Sequence, residues 1–313
     1  MSSVTEMPVS AAAATRPLPK RRGRSNNRPL LLLLLGPAAV LIVLFIVGPA
    51  LYGMYLSFTN TQLTGFAARD PKFVGLDNYV YLLNNADFLG SLGHTGEFVL
   101  YSAIIGQTVL GMLAAILLSR PWMRGKGIIG AAVLMPMIVP EVVASLTWAS
   151  VLSNNSSGTL NQLTGIFGVP PTAWLQVVPM ASIIVVNIWR GIAFAMIMFQ
   201  AALEDVPVEL IEAARIDGAR AMQVFRHVTL PLIRGPVFLY LLLTTISTVG
   251  AFGLVYFLTQ GGPGGQTQLA AIYIYERALQ FSQVGIGSAA SMILLVIVLV
   301  LGSVYLRLAK VEV

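Results

Sequence analysis

Cysteine is absent from the 313 residues, which excludes disulfides and thiolate metal sites. Only two histidines occur, His94 and His227, and they fall in different loops, so no metal centre is expected. No GxxxxGK[ST] run exists anywhere in the chain, so it lacks the backbone cradle that holds nucleotide phosphates. If ATP powers this protein, another subunit hydrolyses it. Charge is scarce as well: 10% of residues are ionised types and 56% are hydrophobic, with a mean hydropathy of +0.80. No soluble globular domain is expected to be so poor in charge. The formal net charge is +6, but the basic residues are scattered among short polar segments, so membrane topology explains them better than nucleic acid does.

What is present is a series of apolar runs of about 20 residues, each long enough at about 1.5 Å per residue to cross a hydrocarbon core of about 30 Å. Six spans are expected: 29–58, with bend points at Gly36-Pro37 and Gly48-Pro49, then 98–118, 128–152, 177–202, 237–258 and 284–306. Residues 1–28 mix Ser, Ala and Pro with Lys20, Arg21, Arg22, Arg24 and Arg28, the composition of a disordered basic tail. Loop cations set orientation. The amino-terminal tail carries six Lys/Arg, the turn after the second span three, the segment after the fourth span four and the carboxyl end two, against three in the loops of the other side. This bias places both termini in the cytoplasm. The fold class read from the sequence is therefore all-α, a polytopic membrane protein with a tail at 1–28 and a six-helix transmembrane domain over 29–313.

The segment 203–236 interrupts this pattern with charge. Pro207 is pre-set for a first helical turn, and Glu204, Asp205 and Glu209 favour the positive end of that helix, so a helix from about Pro207 to Asp217 is expected. Gly218 stands where a left-handed C-terminal cap is wanted. Ala219 to His227 forms a second short helix, with Met222 and Phe225 on one face. Pro231 and Pro236 then prevent simple continuation. Small Ala213 and Ala214 let another surface approach, and Leu210, Ile211 and Met222 offer it apolar contact. The arrangement reads as a docking knob.

Glu212-Ala213-Ala214, Asp217-Gly218-Ala219, Phe225, Val228 and Leu230-Pro231 at this spacing resemble the EAA signature of importer-type ABC permeases, in the form usual among carbohydrate permeases, except that Val228 replaces the commoner isoleucine. The GLDNY stretch at 75–79, Leu258-Thr259 and Tyr273-Ile274-Tyr275 resemble the same group. The resemblance covers about Phe73 to the carboxyl terminus. It implies that 203–236 is a cytoplasmic coupling-helix loop docking into a separate ATPase subunit, with Glu212, Ala213, Ala214, Asp217, Gly218, Phe225 and Pro231 as coupling residues. It further implies a second homologous permease subunit, two ATP-binding subunits that carry ATP and magnesium, an extracytoplasmic solute-binding protein, no cofactor on this chain, and residence in the bacterial cytoplasmic membrane.

Ionisable groups inside a span face protein or water rather than lipid. Glu141 in the third span and Arg190 in the fourth either pair structurally or serve a pathway. Polar and aromatic residues share faces at helical spacing: Glu141, Ser145 and Trp148; Asn187, Arg190, Gly191 and Phe194; Thr244, Ser247, Thr248 and Ala251. Sugars need amide, hydroxyl and guanidinium partners beside aromatic rings, which these stripes supply. The resemblance to maltose-type permeases implies that Asn187, Gly191, Phe194, Thr244 and Thr248 line a sugar path; helix packing through small and hydroxylated residues is the alternative. Arg190 lends some weight to a glycerol-phosphate substrate. The chain is thus expected to be a non-enzymatic permease subunit importing a sugar or oligosaccharide. The rival is an ion-coupled secondary transporter using Glu141, against which stand the lack of an inverted repeat and the elaborate knob. Two motifs fail: Gly125 to Gly130 matches GxGxxG but opens a span instead of following a strand, and the glycine run 261–265 has no lysine behind it and reads as a tight turn.

Overall fold

The computed structural model describes residues 28–120 and 123–309; the basic tail over 1–27 and the terminal Lys310 lie outside the described residues. Helices organise the described residues, and thirteen of them position the features below. Leu35–Ser57 (α1) is followed by the short Asp77–Leu83 (α2), by Ala86–Leu118 (α3), and by Lys126–Ile138 (α4) and Glu141–Val151 (α5). Thr159–Gly165 (α6) leads to Pro179–Glu204 (α7), Val208–Ile216 (α8) and Ala221–Leu232 (α9). Arg234–Val249 (α10), Gly253–Thr259 (α11), Ala270–Tyr275 (α12) and Val284–Leu308 (α13) complete it. No strand occurs among the described residues beyond one isolated bridge, Thr59 to Phe73. Four helices are long and apolar enough to cross a membrane, or six spans if each bent pair counts once.

Three of the expected spans need correcting. The second begins within the stretch expected to be loop: α3 is 33 residues long and starts at Ala86, where Asn85 caps it by accepting a hydrogen bond from the Phe88 amide. Its middle, Val99–Gln107, is wound as a π-helix. The third is broken: α4 and α5 meet at 107°. Pro140 cannot donate to a helical carbonyl and forces its predecessor out of helical geometry, and Val139 accordingly has ψ 126°. The fifth is interrupted at 250–252, between α10 and α11.

Packing divides the chain between Ala50 and Leu51 into two units. The first, within the described residues, is helical and contains a π-helical turn at Val43–Val47. In the second, α3, α5, α7 and α11 enclose one core around Phe98, Ile183, Val186 and Leu254. A second core joins α3, α7 and α10 through Ala115, Ala195, Phe199 and Tyr240. A third joins α2, α3, α12 and α13 through Leu82, Phe88, Tyr273 and Ala290. The GLDNY stretch also finds its physical role here. Asn78 is buried and its amide donates to the Ser57 and Thr59 carbonyls at 2.8 Å each, satisfying orphan acceptors where the first span ends.

Candidate functional site: a polar cavity and a docking knob

A cavity of about 400 Å³ opens between α3, α4, α7 and α10. Arg190, Gly191 and Phe194 reach it from α7, Leu243, Thr244, Ser247 and Thr248 from α10, Gln107 from α3 and Met137 from α4. On both α7 and α10 the lining positions recur at three- and four-residue spacing, so each helix contributes one face. Six of the residues singled out in the stripes thereby come together: Arg190, Gly191, Phe194, Thr244, Ser247 and Thr248.

The residue that joins these helices is Gln107, which the stripes did not include. It ends the π-helical stretch of α3 and is 3% exposed. Its amide Nε2 donates to the Asn187 carbonyl on α7 at 3.0 Å, while its Oε1 accepts the Thr244 hydroxyl of α10 at 3.0 Å and the Tyr240 hydroxyl at 3.4 Å. Gly191 makes room for it: a Cβ there would stand 2.1 Å from the Gln107 side-chain carbonyl carbon. A glutamine inside the otherwise apolar run Ile104 to Leu118 is the signal that marks this position in the sequence.

Five stripe residues do not line the cavity, and one of them, Ala251, packs against the core around Phe98 and Leu254. Asn187 donates its amide to the Ser102 hydroxyl at 2.7 Å, tying α7 to α3. Ser145 is fully buried and donates to the Glu141 and Leu254 carbonyls. Trp148 packs against the core beside α11 and meets the Trp189 ring edge-on at 5.6 Å. Glu141 occupies the first turn of α5 and accepts a 2.6 Å hydrogen bond from the Arg190 guanidinium, across the α5–α7 boundary. Arg190 is therefore the one charged residue on the cavity wall among the described residues, and it is backed by a carboxylate. Its Nε is buried without a hydrogen-bond partner.

The second feature is the knob formed by α8 and α9. α8 starts after Pro207 and ends in a Schellman motif: the Gly218 amide donates to the Arg215 carbonyl and the Ala219 amide to the Ala214 carbonyl, each at 3.0 Å. Gly218 adopts φ +83°, which glycine alone accepts without strain. α9 then opens with the Gln223 side chain accepting from the Arg220 amide at 2.8 Å.

Pro231 does not end this helix as expected. α9 runs to Leu232 through a π-helical turn at Phe225–Thr229, and the bend of 71° falls at Ile233, with Pro236 in the first turn of α10. A π-turn shifts the hydrogen-bond ladder by one residue, which accommodates the missing proline donor.

On the knob, Glu212, Ala213 and Asp217 are exposed and Ala214 is half-buried. Neither Glu212 nor Asp217 belongs to either of the two ion pairs found among the described residues. Apolar side chains accompany them: Ile216 is 86% and Met222 73% exposed. Ile211 turns inward instead and, with Val224 and half-buried Phe225, lines a hollow of about 360 Å³ between the knob and the end of α3.

The geometry agrees with what known proteins show. Residues 107–311 match the family model described as the binding-protein-dependent transport system inner membrane component. The chain is 32% identical over 280 residues to the trehalose/maltose transport system permease protein MalF of Thermococcus litoralis, covering 89% of this chain and 92% of that one. It is 30% identical to the sn-glycerol-3-phosphate transport system permease protein UgpA of Agrobacterium fabrum, covering 91% and 96%. Among solved structures, a bacterial alginate ABC transporter in complex with a periplasmic protein bound to alginate pentasaccharide superposes with a TM-score of 0.73 at 21% identity. That match covers 91% of this chain and 95% of the other and shares its fold. A cavity walled by four helices, a protruding α8–α9 knob and a family match spanning both identify the chain as a member of the binding-protein-dependent transport system inner membrane component family.

Proposed function

We propose that this chain is the transmembrane permease subunit of an ATP-driven importer of a carbohydrate. The observation that carries the reading is the knob, whose exposed carboxylates and apolar side chains find no partner among the described residues and whose α9 leads through one bend into α10, a wall of the cavity. In this reading Glu212 and Asp217 meet cations of a separate ATP-binding subunit, which holds ATP and magnesium. Ile216 and Met222 fill apolar space beside them. Movement of the knob tilts α10 and reshapes the cavity, the rigid-element route by which a distant site is coupled. A second, related permease chain completes the pathway, two ATPases lie beneath the pair on the cytoplasmic side with both termini, and a solute-binding protein delivers cargo from outside. Two of the cargoes in the relatives' names support a carbohydrate: trehalose and maltose, and alginate.

The rival reading, a self-powered carrier with Glu141 as its ion site, is disfavoured because that carboxylate is already held by Arg190 at 2.6 Å. The test is purification of tagged protein in mild detergent. An ATP-binding subunit should co-elute with the wild type and be lost from Glu212→Lys; a chain that purifies alone in both forms refutes the reading.

A further inference from the structure

Arg190 would by itself mark the cavity as a place for an anion. The structure removes that meaning. Its guanidinium donates to Glu141 at 2.6 Å, and Glu141, 41% of whose side chain is exposed, is not among the residues lining the cavity. The remaining lining side chains are an amide, three hydroxyls, an aromatic ring, two apolar side chains and a glycine, none of them ionisable. The wall therefore presents no net charge.

We propose that this pairing sets the charge class of the cargo: the cavity passes a neutral, hydroxyl-rich saccharide and disfavours an acidic one. The inference rests on the carbohydrate reading above and narrows it. An anion entering the cavity leaves its hydration shell without gaining an uncompensated counter-charge, which is unfavourable in a confined site. A neutral sugar exchanges water for comparable partners, because Thr244, Ser247 and Thr248 offer hydroxyls, Gln107 an amide and Phe194 a flat apolar face. Glu141 thus acts as a specificity residue through its pairing with Arg190.

The absence of native cysteine makes the test direct. Ser247→Cys places one thiol on the exposed part of the cavity wall. Its modification in the complete transporter is followed by the mass of this chain, using thiosulfonate reagents that carry either a sulfonate or a trimethylammonium group, each rate divided by the rate on a free thiol. With Glu141 present the normalised anion-to-cation ratio should lie within about threefold of one, since a compensated pair exerts little field at the thiol. Glu141→Gln should raise that ratio about tenfold, the effect of one uncovered unit charge about 6 Å away at an effective dielectric near that of water, as suits a part-exposed pair. Arg190→Gln should lower it by a similar factor, Glu141→Asp should leave it unmoved, and the double Glu141→Gln/Arg190→Gln variant should return it to the starting value.

A ratio already favouring the anion tenfold before any change at Glu141 overturns the proposal without recourse to the charge variants, even if they fail to assemble. A ratio that Glu141→Gln leaves within threefold of its starting value overturns it as well. Loss of ATPase co-elution would sink the importer reading instead, and the two failures are read in separate experiments.

Discussion

The knob and the cavity are built in opposite ways. The knob is one contiguous stretch, 208–232, whose shape follows from neighbours in sequence: Pro207 starts it, Gly218 turns it, and the Gln223–Arg220 contact restarts it. Its chemistry is exposed and unpaired. The cavity draws on residues from 107 to 248 in four helices, and its two central polar groups are bonded internally, Gln107 to Asn187 and Thr244, Arg190 to Glu141. On the proposed reading, a surface that meets another subunit keeps its polar groups free, and a passage inside the membrane holds most of them in bonds, because unpaired polar groups there are costly.

The comparison predicts that knob substitutions damage coupling with little loss of stability and that cavity substitutions do the reverse. The largest expected effect is Gly218→Val. A β-branched residue at φ +83° carries ~1–3 kcal/mol of strain, which distorts the turn that presents Asp217. Solute uptake per ATP hydrolysed in proteoliposomes should fall about tenfold or more, since 1.4 kcal/mol is a factor of ten, while thermal unfolding changes little. Uptake at the normal ratio would remove the turn from the coupling role.

Gly191→Ala tests the opposite half. Its Cβ would meet Gln107 at 2.1 Å, an overpacking that should lower stability by ~1–3 kcal/mol, read as an earlier melting transition in detergent. Combining it with Gln107→Ala should recover part of the loss, because the clash is with that side chain. A pair of losses that simply add would show that the contact is not tight.

Gln107→Leu alone keeps the volume and removes the hydrogen bonds to Asn187 and Thr244, for an expected ~1–2 kcal/mol. Co-elution with the ATPase should be unchanged, which separates a cavity tie from a docking residue. The smallest effect is expected for Thr244→Val, about 0.6 kcal/mol, the average worth of a hydrogen bond between membrane helices. A larger loss from Thr244→Val than from Gln107→Leu would contradict the placement of Gln107 at the centre of the network.

The same contrast explains how far the chain could be read before its structure. The backbone of the knob was legible almost residue by residue, since proline, glycine and the helix dipole act over three or four positions; the π-turn that carries α9 past Pro231 escaped, as did the inward turn of Ile211. The bend at Val139-Pro140 was also written locally, in a proline whose predecessor cannot stay helical, yet hydropathy alone made a single span of it. The cavity was half legible. Helical spacing grouped Arg190, Gly191 and Phe194 on one face, but spacing cannot say which neighbour that face meets. Gln107 was missed for that reason, and Asn187 was assigned to the passage although it bonds Ser102.

Taken alone, the amino-acid sequence determined that the chain lives in a membrane, that its spans are helical, that a charged knob interrupts them and that nucleotide chemistry belongs elsewhere. These follow from composition, segment length and local backbone preference, which act along the chain. Tertiary structure alone decided that Glu141 pairs with Arg190, that Gln107 holds three helices together, and that five of the stripe residues lie away from the cavity wall. Those outcomes depend on which helix faces lie within about 3 Å of each other's polar atoms, the reach of a hydrogen bond, and no pattern within one helix specifies its neighbour.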